Sequence, residues 1–167
     1  MKPTIWIVLG VILAVALIFG AYFFVNRGGS AVTKTIANYS TSDKERPKIE
    51  VKTAFSDLGK MKVSDEKSAD FTIKNIGQKP LQLSRISSSC NCTFGQVIID
   101  GKESEFYGMH SISALAGEIL PGKTGVIRVI YRPYIMPVYG PIDREVYMET
   151  NDPENPNLVF KVRANVE

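Results

Sequence analysis

Apolar residues that recur at every second position are the feature that most constrains the fold of residues 49–167. This alternation occurs in Phe71-Thr72-Ile73, Leu81-Gln82-Leu83, Ile127 to Tyr131, Val146-Tyr147-Met148 and Leu158 to Ala164. Side chains two positions apart point to the same face of a strand, so each strand should bury one face. Clusters of Asn, Asp, Gly and Pro separate the segments, and no stretch after residue 25 sustains a helical period. The sequence therefore predicts an all-β domain, an antiparallel β-sandwich of about seven strands.

An uncharged apolar segment precedes this domain. Residues from Pro3 to Val25 contain no charged side chain, and as a helix they would reach roughly 34 Å, enough to cross a hydrocarbon core of about 30 Å. A cleaved signal peptide would be shorter and would end in a small-x-small site, which this segment does not offer. We therefore predict an uncleaved signal-anchor, a transmembrane helix within residues 1–25. The flanking positive charges, with Lys2 on one side and Arg27 on the other, do not decide its orientation.

The composition of the rest of the chain excludes several functions. Residues 26–48 are rich in Gly, Ser, Thr and charge without apolar periodicity, which predicts a flexible linker to the domain at residues 49–167. The full chain has a net charge of +3, and this excess of positive charge is too small to predict a nucleic-acid partner. The sequence contains no phosphate-binding Gly-rich loop, no HExxH and no Gly-x-Ser-x-Gly. It therefore predicts no nucleotide and no conventional hydrolase.

Several blocks of the domain together resemble a known family. They are Phe55-Ser56-Asp57-Leu58-Gly59, Phe71 to Gly77 with Pro80-Leu81, Ser89-Cys90-Asn91-Cys92-Thr93, Leu120-Pro121-Gly122-Lys123 and Glu149-Thr150-Asn151-Asp152-Pro153. In order and spacing they resemble the domain of unknown function 1573 family of exported bacterial proteins. This chain has Asn91 where the commoner motif of that family has Gly. The resemblance implies an immunoglobulin-like sandwich outside the cytoplasmic membrane on a membrane anchor, and it implies no reaction.

Cys90 and Cys92 are the only cysteines in the chain. On an extended strand, their side chains would project from one face and could engage one metal ion or form one redox couple. A disulfide between extended i and i+2 residues would lie near the upper limit of the separation that good geometry accepts. Since no His or acid adjoins the pair, and no Lys or Arg lies between Ile86 and Gly101, we rank thiol–disulfide chemistry below metal binding.

Three further residues complete a soft ligand set. Met109 and His110, the only histidine, lie in one predicted loop, and Met136 lies in another. Copper(I) favours Cys and Met sulfur and accepts His, whereas zinc rarely takes a thioether. We therefore predict a copper(I) site formed by Cys90, Cys92 and His110, with Met109 or Met136 as the fourth ligand.

Two alternatives stay open beside this site. The cysteines could act as a thiol–disulfide redox partner, or the domain could be a scaffold that binds another envelope or membrane protein. The mixed charges of Asp143-Arg144-Glu145 and Asp65-Glu66-Lys67 are predicted to line solvent-facing strand edges. The overall expectation is a single-pass protein of the cytoplasmic membrane whose globular domain is extracytoplasmic.

Overall fold

The computed structural model describes residues 3–26 and 35–167, and in the first range it describes the side chains of residues 6, 10 and 12–21. The chain divides into two compact units, Met1–Lys34 and Thr35–Glu167, and each is described by itself. The first part of the predicted linker therefore lies outside the described residues.

The described part of the first unit is one helix, α1, which spans Pro3–Asn26. It coincides with the helix predicted at residues 3–25. Among the residues that the structure describes, no helix is long and apolar enough to cross a membrane. The transmembrane anchor therefore stays a prediction.

The second unit begins before the predicted domain boundary at Ile49. The backbone N–H of Ala37 donates to Gln82 Oε1 at 2.8 Å. The carbonyl oxygen of Lys48 accepts from the N–H of Ile76 at 2.8 Å. Composition alone predicts a flexible linker at residues 26–48, and these bonds show that its later residues contact the domain.

Residues 35–167 form strands separated by turns. The strands are β1 (Ile49–Val51), β2 (Phe55–Met61), β3 (Lys67–Asn75), β4 (Leu81–Ser88), β5 (Thr93–Ile99), β6 (Lys102–Glu103), β7 (Gly117–Ile119), β8 (Thr124–Tyr131), β9 (Gly140–Thr150) and β10 (Asn157–Val166). A short 3-10 turn at Pro133–Ile135 interrupts the connection from β8 to β9. The predicted all-β domain is confirmed.

The strands form two sheets that pack as a sandwich. One sheet has the order β1-β3-β8-β5-β6 and the other has the order β2-β10-β9-β4-β7. Neighbouring strands are antiparallel except β2, which runs parallel to β10. The expectation of a purely antiparallel sandwich is therefore wrong at this edge, because alternation along a strand specifies its buried face and not the direction of its neighbour. The immunoglobulin-like assignment stays a prediction.

The core lies between the two sheets and follows the predicted alternation. In β3, Phe71 and Ile73 are buried while Thr72 between them is exposed. In β10, Phe160 and Val162 are buried in the same way. The rings of Phe71 and Phe160, which belong to opposite sheets, have centroids 5.2 Å apart. Burial of one face of each strand therefore joins the sheets.

The strand register gives the sandwich two distinct ends. We call the end formed by residues 62–66, 89–92 and 132–139 the cysteine end, because β4 leads to β5 and β8 leads to β9 there. We call the opposite end, formed by residues 75–80, 120–123 and 151–156, the Asp152 end. The pairing of Lys67 with Tyr131 at one end of β3 and of Lys74 with Thr124 at the other fixes this arrangement.

Candidate functional site

Cys90 and Cys92 are joined by a disulfide bond at the cysteine end. They lie in the turn between β4 and β5, so the expectation that both project from one face of a strand is wrong. The turn brings their Cα atoms to 5.3 Å, well inside the range that disulfides usually span. Asn91 lies exposed at the tip of this turn, where a polar residue accommodates the change of chain direction.

The two sulfurs of this disulfide differ in access. Cys92 is completely buried, whereas Cys90 is partly exposed. The backbone N–H of Cys92 donates to Cys90 Sγ at 3.0 Å. The Thr93 hydroxyl lies 3.7 Å from Cys90 Sγ and 3.9 Å from Cys92 Sγ. Cys90 is therefore the more accessible residue of the pair, and its sulfur already has polar neighbours.

The backbone around the disulfide is held by hydrogen bonds from three directions. Ser88 Oγ donates to the carbonyl oxygen of Cys90 at 2.9 Å. The N–H of Arg132 donates to the carbonyl oxygen of Cys92 at 2.8 Å, which ties the β8–β9 connection to the cysteine turn. The N–H of Ser89 donates to the carbonyl oxygen of Glu145 in β9 at 2.9 Å. The turn is thus fixed to both sheets.

The predicted copper ligands share one side of the domain without forming a metal site. Gly108 packs against the ring of Phe94, close to the start of β5, so the exposed Met109 and His110 that follow it are not at the far end of the sandwich. Met136 lies exposed in the β8–β9 connection. Among the described residues, no group of three or more His, Cys, Asp or Glu side chains is arranged to hold a metal ion.

The disulfide also bears on the chemistry of the predicted copper site. Copper(I) binds thiolates, and a disulfide-bonded sulfur is not a thiolate. The site at Cys90, Cys92, His110 and Met109 or Met136 therefore requires reduction of the disulfide. It stays a prediction.

Sequence reasoning missed two arginines at the cysteine end. Arg132 places its guanidinium 5.0 Å from the ring centre of Phe94 and 5.1 Å from that of Phe106, and its Nε donates to Glu66 Oε2 at 2.5 Å. Arg144 lies 5.5 Å from the ring centre of Tyr131. Both arginines are more than forty positions from Cys90 in the sequence, and folding brings them to the same end of the sandwich.

The position of Arg144 corrects the interpretation of Asp143-Arg144-Glu145 as a solvent-facing strand edge. These residues belong to β9, which is the central strand of its sheet. Arg144 alternates with the buried Val146 and Met148, so its side chain faces the interior. Its Nη1 donates to the carbonyl oxygen of Asp143 at 2.9 Å. In this triplet the side chain of Arg144 therefore faces the interior, and the two acidic side chains beside it face outward.

Two buried polar atoms at this end have no hydrogen-bond partner among the described residues. They are the hydroxyl oxygen of Tyr131 and Nε of Arg144. Tyr131 is completely buried and packs in one cluster with Cys92, Met61, Ala164 and Val166. An unpaired buried donor costs about 1–3 kcal/mol, so two of them together mark an unusual location.

A run of exposed apolar side chains borders the disulfide. In the β8–β9 connection, Tyr134, Ile135, Met136, Val138 and Tyr139 are each more than two fifths exposed, and Tyr139 is 69% exposed. We call these five residues the apolar rim. The exposed ring of Phe106 adjoins it, because Arg132, which starts the connection, stacks on that ring. Sequence reasoning interpreted Met136 as a metal ligand and did not identify the rim, although the uncharged run from Pro133 to Tyr139 was a visible signal.

The residues of the Asp152 end serve the fold. Asp152 is completely buried, and its carboxylate accepts from the N–H groups of Ile49 and Glu154, each at 3.0 Å, and from the side chain of Asn155 at 3.1 Å. Asn75 is also completely buried, and its amide donates to the carbonyl oxygens of Lys79 and Ile119 at 2.8 and 2.9 Å. These side chains hold the turns of the Asp152 end together.

Comparisons with known proteins support the fold. No curated protein matches the sequence. A protein of unknown function from Porphyromonas gingivalis W83 has a similar structure, with 21% identity and a TM-score of 0.53 over 72% of this chain and 47% of that one. The PapD-like domain 7 of human CEP192 superposes with a TM-score of 0.49 and 11% identity, over 83% of this chain and 97% of that domain. The chain thus spans about half the length of the Porphyromonas protein, and that likeness concerns the fold alone.

The family comparison covers the first half of the β-rich unit. The matching model is that of the family described as protein of unknown function (DUF1573), and it matches residues 49–104. This range contains β1 to β6, the buried Asn75 and the disulfide turn. The resemblance to the domain of unknown function 1573 family, inferred from the Cys-x-Cys-Thr block and its neighbours, is confirmed over residues 49–104.

Proposed function

We propose that this domain is a protein-interaction module that binds another protein through the apolar rim at the cysteine end. The observation that carries this proposal is the exposure of five apolar side chains within a six-residue stretch, residues 134–139. Tyrosine and methionine are enriched at the buried centres of protein interfaces. Exposed apolar residues scattered singly are ordinary, but a contiguous group of this kind marks an interaction surface.

The rim has the local order that a binding surface needs. Pro133 is buried, and the N–H of Ile135 donates to the carbonyl oxygen of Arg132 at 3.2 Å. The N–H of Met136 donates to the carbonyl oxygen of Pro133 at 3.1 Å. With Arg132 tied to Cys92 and Glu66, the first half of the connection is already folded. Less conformational entropy is then lost on binding.

The partner that fits this surface is an envelope or membrane protein that presents its own apolar side chains. The disulfide supports an extracytoplasmic location, because such bonds persist in oxidising compartments. In this proposal, α1 anchors the chain in the cytoplasmic membrane and the immunoglobulin-like sandwich extends outside it.

The test is complex formation by the full chain, extracted in mild detergent from cells that express it at its natural level. A variant that carries Ile135→Ser and Met136→Ser should lose the partner that the wild type retains on purification. Leu120→Ser is the control, because Leu120 is also an exposed apolar residue, at 52%, but lies at the Asp152 end. Retention of the same partner by the rim variant would contradict the proposal.

A further inference from the structure

We propose that the Cys90–Cys92 disulfide exchanges with a protein dithiol, with Cys90 as the sulfur that is attacked and Cys92 as the resolving sulfur. This activity goes beyond partner binding, because it assigns a two-electron reaction to the cysteine end. It needs an accessible sulfur, a place for the negative charge that the reaction creates, and a balanced path for the electrons. Each of these has a counterpart in the structure.

The difference in solvent exposure between the two cysteines determines which sulfur is attacked. A thiolate must approach a disulfide sulfur directly, and Cys92 is completely enclosed by its apolar cluster while Cys90 is partly exposed. Attack on Cys90 therefore makes Cys92 the leaving group. In the reverse direction, Cys90 is the nucleophile that forms a mixed disulfide, and Cys92 displaces the bound partner.

Donors for a thiolate at Cys90 are already in place. The N–H of Cys92 donates to Cys90 Sγ at 3.0 Å, and the Thr93 hydroxyl lies 3.7 Å from the same sulfur. Hydrogen bonds to a charged acceptor are stronger than those to a neutral one. These donors would therefore stabilise Cys90 more as a thiolate than as part of the disulfide.

The cysteine end has buried donors without partners, and in this proposal they stabilise the negative charge that forms on Cys92 as hydrogen-bond donors to its thiolate. The buried hydroxyl of Tyr131 and Nε of Arg144 lack acceptors among the described residues, and Tyr131 packs in the cluster that contains Cys92. Tyr131 also lies in register with Thr93, the residue that follows Cys92. Opening the disulfide would place a thiolate, a hydrogen-bond acceptor, in the region where these donors are unused.

The electrons and protons balance without any further reactant. A thiolate of the partner attacks Cys90 Sγ, a bond forms between these two sulfurs, and the electron pair of the Cys90–Cys92 bond passes to Cys92. The second thiolate of the partner then attacks the partner sulfur in the mixed disulfide and releases Cys90. The partner gains a disulfide and loses two electrons. Cys90 and Cys92 receive those electrons together with the two protons of the partner's thiols.

The first test uses the full wild-type chain in detergent and reduced glutathione as the probe. The disulfide should open, as shown by acid quenching and thiol alkylation, while the near-ultraviolet circular dichroism of the folded domain persists. A disulfide that opens only when the domain unfolds would overturn the proposal.

Single-cysteine variants test the assignment of the two sulfurs. After incubation with oxidised glutathione, Cys92→Ser should carry glutathione on Cys90, whereas Cys90→Ser should stay unmodified because Cys92 is enclosed. Equal modification of both variants, each shown to be folded by circular dichroism, would overturn the assignment.

Tyr131→Phe tests the buried donor in a protein that keeps both cysteines. It removes a hydroxyl that has no partner in the folded domain, so folding should be unaffected or improved. The disulfide should nevertheless open at least about tenfold more slowly, as expected for the loss of one hydrogen bond to a charged group. An unchanged rate would overturn the role of Tyr131.

The variant Ile135→Ser with Met136→Ser should react with glutathione like the wild type, so failure of exchange and failure of partner binding are separate results.

Discussion

The two ends of the sandwich differ in their buried polar groups and in their exposed apolar side chains, although each end has a buried nitrogen without a hydrogen-bond partner among the described residues. At the Asp152 end this atom is Nη1 of Arg46, whose side chain pairs with Glu154. At the Asp152 end, the carboxylate of Asp152 and the amide of Asn75 are completely buried, and hydrogen bonds satisfy both. At the cysteine end, Tyr131 and Arg144 keep unpaired buried atoms, and the five side chains of the apolar rim are exposed.

This difference separates residues that stabilise the fold from residues that are available for function. A fully satisfied buried network rigidifies the turns that it joins, and its loss is costly. Exposed apolar side chains contribute little to folding and unpaired buried donors oppose it, but both are groups that a partner or a reaction can use. The Asp152 end therefore holds the domain together, and the cysteine end is where we propose that a partner binds.

The largest effect on stability should come from Asp152→Ala. The change leaves the buried N–H group of Ile49 and the partly buried N–H group of Glu154 without their acceptor. We expect the free energy of unfolding to fall by about 3 kcal/mol, measured by denaturant unfolding. Asp152→Asn, which keeps one acceptor oxygen, should lose less. Equal stability of Asp152→Ala and the wild type would remove the structural role assigned to this end.

A second large effect is expected for Gly77→Ala, also at the Asp152 end. A Cβ atom at this position would overlap the backbone of Arg46 to Lys48 and would lie 2.7 Å from the carbonyl carbon of Pro47. The segment before β1 must then move, at a cost of about 2 kcal/mol. Gly108→Ala is the control, because its Cβ would meet only the Phe94 ring at 3.4 Å. If both variants lost a similar amount of stability, the loss in Gly77→Ala would not come from the overlap of its Cβ atom with the backbone.

Exposed rim residues should contribute almost nothing to stability. Ile135→Ser with Met136→Ser removes side chains that are 42% and 47% exposed. We expect the free energy of unfolding to change by no more than about 0.5 kcal/mol, even though the partner is lost. A loss of several kcal/mol would mean that the rim belongs to the core and that the two ends do not differ as described.

The smallest effect concerns the pH dependence of stability. The hydrogen bonds of Arg163 and Lys161 hold the pKa of Asp143 below its usual range, with Arg163 Nε 2.7 Å from Oδ1 and Lys161 Nζ 2.8 Å from Oδ2. Since the folded state favours the ionised carboxylate, this contribution is present above the ordinary carboxyl pKa and is lost as the pH falls below it.

The variant Asp143→Asn measures that contribution. Between about pH 7 and about pH 3, the melting temperature of the variant should fall slightly less than that of the wild type. The difference should be small because Asp143 is exposed and water screens the pair. Parallel curves for the two proteins would show that this ion pair does not contribute to stability.

The sequence predicted the strands and their buried faces, because local periodicity determines both. The alternation in β3 and β10 identified the strands and their buried faces, because a two-residue period leaves few other structures. The turn residues around Asn75 and Asp152 were recognised, although their buried hydrogen bonds were not. The direction of β2 beside β10 depends on contacts about a hundred positions apart, and no local pattern encodes it.

The candidate site was less predictable for a physical reason. Its parts come from the turn after β4, from β8 and from β9, so the arrangement of Cys90, Tyr131 and Arg144 depends on tertiary packing. A charged triplet such as Asp143-Arg144-Glu145 suggests a solvated edge, but a central strand buries every second residue whatever its charge. The Cys-x-Cys spacing drew attention to this turn, and the turn brings the two Cα atoms close enough for a disulfide.

Photo-cross-linking from both ends of the sandwich tests the central claim most directly. A photoreactive amino acid replaces Tyr139 in the apolar rim or Leu120 at the Asp152 end, two positions that are 69% and 52% exposed. Irradiation of intact cells that express the full chain should give a discrete protein adduct from position 139 and none of comparable yield from position 120. The adduct from position 139 should disappear when Ile135→Ser and Met136→Ser are added. Adducts of equal yield from both ends, or an adduct from position 120 alone, would contradict the assignment of partner binding to the cysteine end.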